Sequence, residues 1–248
     1  MHKLALCIFI VVSLTALTAC QKSAIVPSTG NTPAVEADWS TDYRYGTFNT
    51  DGYTVSNNVW YAGTPGPQTL WVNSFSNWGV RSDQVGGGVK SYPNVGKYIG
   101  KSIESLKTLT SSFNITVPKT GCFEAAYDIW GSNNYEIMLW VNVVGAAKPV
   151  AWNYDWSDGG PAVHSLVAGG HTWNVYRGSL FGHPVVSFFR TSNTSAGTVN
   201  IKAILRWLKK EGWIDNTTVG NLQFGTEIST TAPGGSNFNT NSYSVTVE

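Results

Sequence analysis

The sequence predicts an all-β chain folded as a two-sheet sandwich with one helix. From Asp38 onward, short runs alternate apolar and polar side chains, the period of a half-buried strand. Clusters of Gly, Asn and Pro separate these runs at close intervals. One segment alone, Val199 to Lys210, carries its apolar residues at helical spacing. Nothing repeats at a fixed period, which argues against propellers and solenoids.

Taken in order, Tyr53 to Trp60 alternates, and so does Ser111 to Val117. Cys122 to Trp130 leads into a Gly131-Ser132-Asn133-Asn134 turn and then a central strand, Tyr135 to Val141. Trp173–Tyr176 and Pro184–Phe189 continue the pattern. In the helical segment Ile201, Ile204, Leu205 and Leu208 form one stripe, with Lys202, Arg206 and Lys209 off it. Asn200 is placed to cap its start and Gly212 to end it. The expectation is one amphipathic helix on the outer face of a sheet.

The N-terminus reads as a targeting segment. Lys3 precedes an apolar run from Leu4 to Leu17, too short to serve as a final membrane span. The run ends in Leu17-Thr18-Ala19-Cys20, which resembles the bacterial lipobox, whose cysteine is acylated and becomes the first mature residue. The expected organisation is a lipoprotein signal peptide over residues 1–19, a flexible tether over 20–37 and a single domain over 38–248. An ordinary cleaved signal peptide is the alternative. With Cys7 discarded and Cys20 lipidated, Cys122 has no partner, so the fold must stand without a disulfide. Gln21 after the cysteine fits sorting to an outer membrane of the bacterial envelope; the alternative is secretion.

Composition narrows the partners. Charged residues make up 12% of the chain, against roughly 25% in an average globular protein. Sixteen basic residues against fifteen acidic ones leave a formal charge of +1, so there is no basic field to gather phosphates and nucleic acid is not expected. Aromatics reach 13%, with 11 Trp and 11 Tyr, which suits an uncharged ligand.

The central strand places Glu136, Met138 and Trp140 on one face and Ile137, Leu139 and Val141 on the other. The second set reads as core. The first is a poor core but a good floor for a sugar-binding cleft, because an indole stacks on a pyranose and a carboxylate can attack an anomeric carbon. A second candidate carboxylate is Glu227, in Gln223-Phe224-Gly225-Thr226-Glu227; Phe224 and Ile228 face the core, and Gly225 allows a ligand or another backbone to come close. Alternation groups Asp128 with Ala126 and Trp130. A three-residue hairpin loop in the 130s would set Asp128 directly opposite Glu136, where the two carboxyls would tend to share a proton. The plainer readings are a solvated strand residue for Asp128 and an outer-face residue for Glu227. Trp60 reads equally as core or as a stacking platform. Gly96 to Ser102 falls one residue short of phosphate-loop spacing, and His2, His164, His171 and His183 show no metal spacing.

Six pieces then run in the order of a known family: Tyr53–Trp60, Val89–Asn94, Ala126–Trp130, Tyr135–Trp140, Gly169–Trp173 and Phe224–Glu227. Over roughly Tyr43 to Glu248 the chain resembles glycoside hydrolase family 12, endo-β-1,4-glucanases with a β-jelly-roll fold and a retaining mechanism. The resemblance implies a jelly-roll sandwich of two antiparallel sheets, with Glu136 as nucleophile, Glu227 as general acid/base and Asp128 as the carboxyl bonded to the nucleophile. It also implies that Asn58 and Trp60 hold glucosyl units on the non-reducing side of the cut, over a floor of Met138 and Trp140. A distal tryptophan of fungal members is replaced here by Tyr45, which implies a weaker outer subsite. The N-terminal disulfide of many members is missing, and Ile228-Ser229-Thr230 after Glu227 lacks an aromatic residue that often follows there.

The expected activity is therefore hydrolysis of internal β-1,4-glucosidic bonds by double displacement, in a lipid-anchored monomer acting on β-glucan and needing no metal or organic cofactor. A xyloglucan-specific endo-glucanase is the close alternative. A non-catalytic surface carbohydrate-binding protein on the same fold is the alternative from another class; having both Glu136 and Glu227 argues against it, since a pure binder needs no paired carboxylates.

Overall fold

Fifteen strands and one helix form within residues 37–150 and 160–248, the residues described by the computed structural model. The stretch expected to be a signal peptide, Cys20, and all but the last residue of the expected tether lie outside them. In chain order the strands are β1 (Trp39–Thr41), β2 (Thr47–Thr50), β3 (Tyr53–Ser56), β4 (Gln68–Ser74), β5 (Asn77–Ser82), β6 (Asn94–Ser102), β7 (Leu109–Thr116) and β8 (Cys122–Gly131). They continue as β9 (Glu136–Val144), β10 (Val163–Ala168), β11 (His171–Leu180), β12 (His183–Arg190), β13 (Ala196–Asn200), β14 (Thr218–Thr230) and β15 (Ser236–Val247), with helix α1 (Ile201–Lys210) between β13 and β14.

Two sheets result, the expected all-β sandwich. The smaller has the order β1-β4-β5-β15-β7-β13 and the larger β10-β11-β12-β9-β8-β14-β6-β3-β2. Neighbours among the described strands run antiparallel with one exception. β12 lies parallel to β9, setting Val185 beside Glu136 and Phe189 beside Trp140.

Alternation sorts the larger sheet as the sequence requires. Ile129, Ile137, Leu139, Phe188, Leu222 and Phe224 join Leu70, Val72 and Val80 of the smaller sheet in one core. Phe224 stacks on Tyr243 of β15 at 5.5 Å and 7°, so an aromatic pair ties the two layers together. Asp128, Glu136, Met138, Trp140, Gln223 and Glu227 take the opposite face and line a cleft.

The helix forms where expected. The Asn200 side chain accepts from the Ala203 backbone N–H at 3.1 Å, and the Gly212 N–H closes on the Lys209 carbonyl with φ at +68°. Its apolar stripe is the face that packs against the sheets. Ile201, Ile204, Leu205 and Leu208 are fully buried in the same core that the two sheets share, and the helix packs against β7 of one sheet and β10 of the other. Four fully buried apolar side chains, each contributing about 1.5–3 kcal/mol, hold that stripe against the core.

One strand is shorter than its alternation suggests. β3 stops at Ser56, and Asn57 to Trp60 leave the ladder because Asn58 takes a positive φ of 43°. Asparagine tolerates that conformation, and its amide Nδ2 donates to the Tyr92 carbonyl at 3.1 Å while its own carbonyl accepts from the Tyr92 N–H at 3.0 Å.

Candidate active site

The β8–β9 hairpin places the acidic residues. Its loop is Ser132-Asn133-Asn134, with Asn134 in the left-handed region at φ +60° and the Gly131 N–H donating to the Tyr135 carbonyl. That loop begins one residue later than direct opposition of Asp128 and Glu136 needs. Trp130 therefore faces Glu136, and Asp128 faces Met138. The two carboxyls remain diagonal neighbours on one face. A bulge at Val141, between the pairs Ala126–Trp140 and Ala125–Asn142, then re-aims the far end of the strand.

Glu136, Asp128 and Glu227, with Asn58, Trp60, Met138 and Trp140, all line one cleft of about 800 Å³. Met138 and Trp140 are its nearly buried floor, packed with Ala126 and Val185. Trp60 is 45% exposed, which excludes a core role and leaves its ring available at the rim. Tyr45 stands beside the cleft and not among the residues lining it. Its ring lies against Tyr43 and under the Arg44 guanidinium, which reaches the carbonyls of Val59 and Tyr61.

Asp128 is buried, not a solvated strand residue. Its Oδ2 accepts from the Trp130 indole N–H at 2.8 Å, and its Oδ1 has no partner among the described residues. Burial first, then the nearby charges of Glu136 and Glu227, push its carboxyl well above the usual range; the Trp130 bond opposes this. Of the two carboxyls, Asp128 is the one pushed further toward its neutral form.

Glu136 is 8% exposed, and burial raises its pKa as well. A residue that sequence reasoning assigned no role opposes that rise. His183, at the start of β12, brings Nε2 to 2.6 Å from Glu136 Oε2. No spacing rule signalled it, because the contact depends on β12 pairing with β9.

Glu227 is held from behind by backbone. On β14 the Thr226 and Ile228 N–H groups donate to the carbonyls of Pro93 and Ser91. The close approach expected at Gly225 is to protein backbone: a Cβ there would lie 2.0 Å from the Pro93 carbonyl oxygen. Directly across the ladder from Glu227 is Glu124, a second residue the sequence reading passed over. Glu124 is 1% exposed, and burial, followed by the charge of Glu227 and a hydrogen bond to it, holds its carboxyl well above the usual range. The signal was present, since residues 124, 126, 128 and 130 share one face of β8.

Over the rim, Lys90 is buried with its ammonium donating to the carbonyls of Gly87 and Gly88 and lying 4.6 Å from the Tyr61 ring centroid. It ties down the glycine-rich edge of the cleft, Gly86 to Gly88.

A long aromatic cleft on one face of a β-sandwich, with carboxylates brought in from separate strands, is the architecture of a polysaccharide-cleaving glycoside hydrolase. The comparisons carry this further: the family model "Glycosyl hydrolase family 12" matches residues 51–248, and the chain belongs to that family. A probable xyloglucan-specific endo-β-1,4-glucanase A of Aspergillus flavus is 29% identical over 225 residues, spanning 82% of this chain and 89% of its own length. Endoglucanase S of Pectobacterium parmentieri is 27% identical over 214 residues, 73% of this chain and 77% of its own. Among solved structures, the xyloglucanase domain of NopAA from Sinorhizobium fredii, in complex with cellobiose, is 45% identical with a TM-score of 0.81, covering 85% of this chain and 99% of that one. A family 12 xyloglucanase from Bacillus licheniformis is 25% identical with a TM-score of 0.72, over 85% and 100% of the two chains.

Proposed function

We propose that this glycoside hydrolase is a retaining endo-β-1,4-glucanase with Glu136 as nucleophile and Glu227 as general acid/base. The observation that carries the reading is the placement of both carboxylates in one cleft over the Met138 and Trp140 floor. In the first step Glu227 gives its proton to the departing glycosidic oxygen as Glu136 bonds to C1. In the second, Glu227 takes a proton from water, which attacks C1 and releases the sugar from Glu136. Asp128, neutral beside Glu136, leaves the nucleophile as the ionised partner. Protonated Glu124 donates to Glu227 and stabilises it once its own proton has gone to the leaving group. Asn58 and Trp60 hold glucosyl units on the non-reducing side, and Tyr45 offers a weak distal contact.

The domain acts as a monomer, tethered by residues 20–37 to a lipid on Cys20 after removal of residues 1–19, at the outer membrane of a bacterial envelope. The lipobox pattern and Gln21 support that location.

The test is a panel of soluble β-1,4-glucan, mixed-linkage glucan, xyloglucan and xylan, assayed for new reducing ends. The expected result is cleavage of the β-1,4-glucans, lost in Glu136→Ala and Glu227→Ala. Xyloglucan preference is the second reading, favoured by the NopAA xyloglucanase domain at 45% identity; it predicts the highest kcat/KM on that polymer. No product from any glucan would return the protein to a non-catalytic binder.

A further inference from the structure

His183 and Glu136 make a closed pair: Nε2 to Oε2 is 2.6 Å, and the two side chains are only 11% and 10% exposed. The histidine is held on two further sides. Its backbone belongs to β12, whose next residues run parallel to β9 in the register Val185–Glu136. Its ring lies against Trp130, centroids 5.4 Å apart, and Trp130 is itself pinned by its indole N–H to Asp128. A hydrogen bond this short to a carboxylate, in a site largely shut from water, is a strong orienting contact.

We propose that His183 is a positioning residue for the nucleophile: its Nε2–H donates to Oε2 of Glu136, reserves that oxygen, and presents Oε1 to the anomeric carbon. The inference rests on reading Glu136 as nucleophile and adds a role for His183 in each half of the reaction. When the Oε1–C1 bond forms and the bond from C1 to the leaving oxygen breaks, Glu136 gives up its charge and the hydrogen bond weakens. When water attacks C1 and the C1–Oε1 bond breaks, the electron pair returns to Glu136 and the charge is restored beside the His183 donor. The contact therefore favours the second half, making Glu136 a better leaving group. Other titratable groups acting on Glu136 and its neighbour are carboxyls, Asp128 on β8 and Glu227 on β14; among the described residues the hydrogen bond to the Glu136 carboxylate comes from His183, while Asp128 Oδ2 is turned to the Trp130 indole.

An aryl β-cellobioside with a good leaving group isolates the second half, because the first then needs no acid. With His183→Ala, kcat should fall about tenfold to a hundredfold, the range for losing a hydrogen bond to a charged group. KM should fall with it, kcat/KM should change much less, and intact-mass measurement should find the cellobiosyl-enzyme accumulating. The acid limb of kcat/KM should also move to higher pH, since Glu136 loses the donor that opposes the rise due to burial. His183→Gln keeps an N–H in reach and should recover most of kcat and of the acid limb. A merely structural histidine would lower the melting temperature in both variants without accumulation of intermediate or a moved limb, and that result would overturn the proposal. Failure of the underlying reading looks different: Glu136→Ala, given the same substrate and azide, would retain hydrolysis and yield no α-glycosyl azide.

Discussion

At the scale of single residues, Glu124 and Trp60 make the sharpest contrast. Glu124 is fully buried and its pKa is raised in the fold, so its stabilising contribution is fully present below its ordinary value of 4.5 and is lost as pH rises through its folded value. Wild-type melting temperature should therefore fall as pH rises from about 4.5, the ordinary value where that loss begins. Glu124→Gln keeps a donor toward Glu227 and removes that titration. Its melting curve should be flatter with pH, retaining the slope due to Asp128 and Glu136, whose carboxyls burial also raises. Parallel curves for variant and wild type would mean that Glu124 stays ionised. Trp60 is the opposite case. Because its ring is 45% exposed, Trp60→Ala should leave the melting temperature nearly unchanged. It should lower kcat/KM on soluble glucan by the equivalent of about 1–3 kcal/mol, the worth of one stacking contact. Circular dichroism melting beside steady-state kinetics reads both effects.

At the scale of elements, the hairpin and the helix show how local chemistry carries into the fold. The helix was legible residue by residue: cap, stripe and terminating glycine all fall where the spacing put them. What its periodicity left open was the partner of the stripe. In the fold that stripe belongs to the common core, so Leu205→Ala should destabilise the whole domain by about 2–5 kcal/mol, a cavity cost. Urea denaturation should register it as a lower midpoint with an unchanged slope, while activity of the folded fraction persists because the helix is not among the residues lining the cleft. A loss confined to local fraying would place the helix outside the cooperative core. The β8–β9 hairpin teaches the complementary lesson. Its faces were correct from alternation, yet starting the loop at Ser132 instead of Gly131 moved Asp128 from opposite Glu136 to opposite Met138. A one-residue choice in a turn is decided by which residue accepts a positive φ, here Asn134 at +60°.

At the scale of the whole molecule, the cleft is assembled from strands remote in sequence. β9 supplies Glu136, β8 supplies Asp128 and Glu124, β14 supplies Glu227, and β12 supplies His183. The proposed lipid anchor would fix this cleft near a membrane surface through residues 20–37. Cys20→Ser should abolish incorporation of a tagged fatty acid and release or misprocess the protein, with the purified domain as active as wild type. Wild-type protein found unlabelled in the medium would defeat the anchor.

Sequence by itself determined the strand period, the all-β class, the helix with its caps, and the face on which Glu136, Met138, Trp140, Asp128 and Glu227 stand. These are local properties, because a period of two or of 3.6 residues states which side chains share a side. The six ordered pieces added the family. Only the tertiary structure decided which neighbours meet. The His183–Glu136 contact joins residues 47 positions apart through a parallel pairing, and Glu124 meets Glu227 through the register of β8 with β14. Register is set by every turn and every core contact of the sheet together, so alternation names the face of each carboxylate and leaves its partner to the packing of the whole.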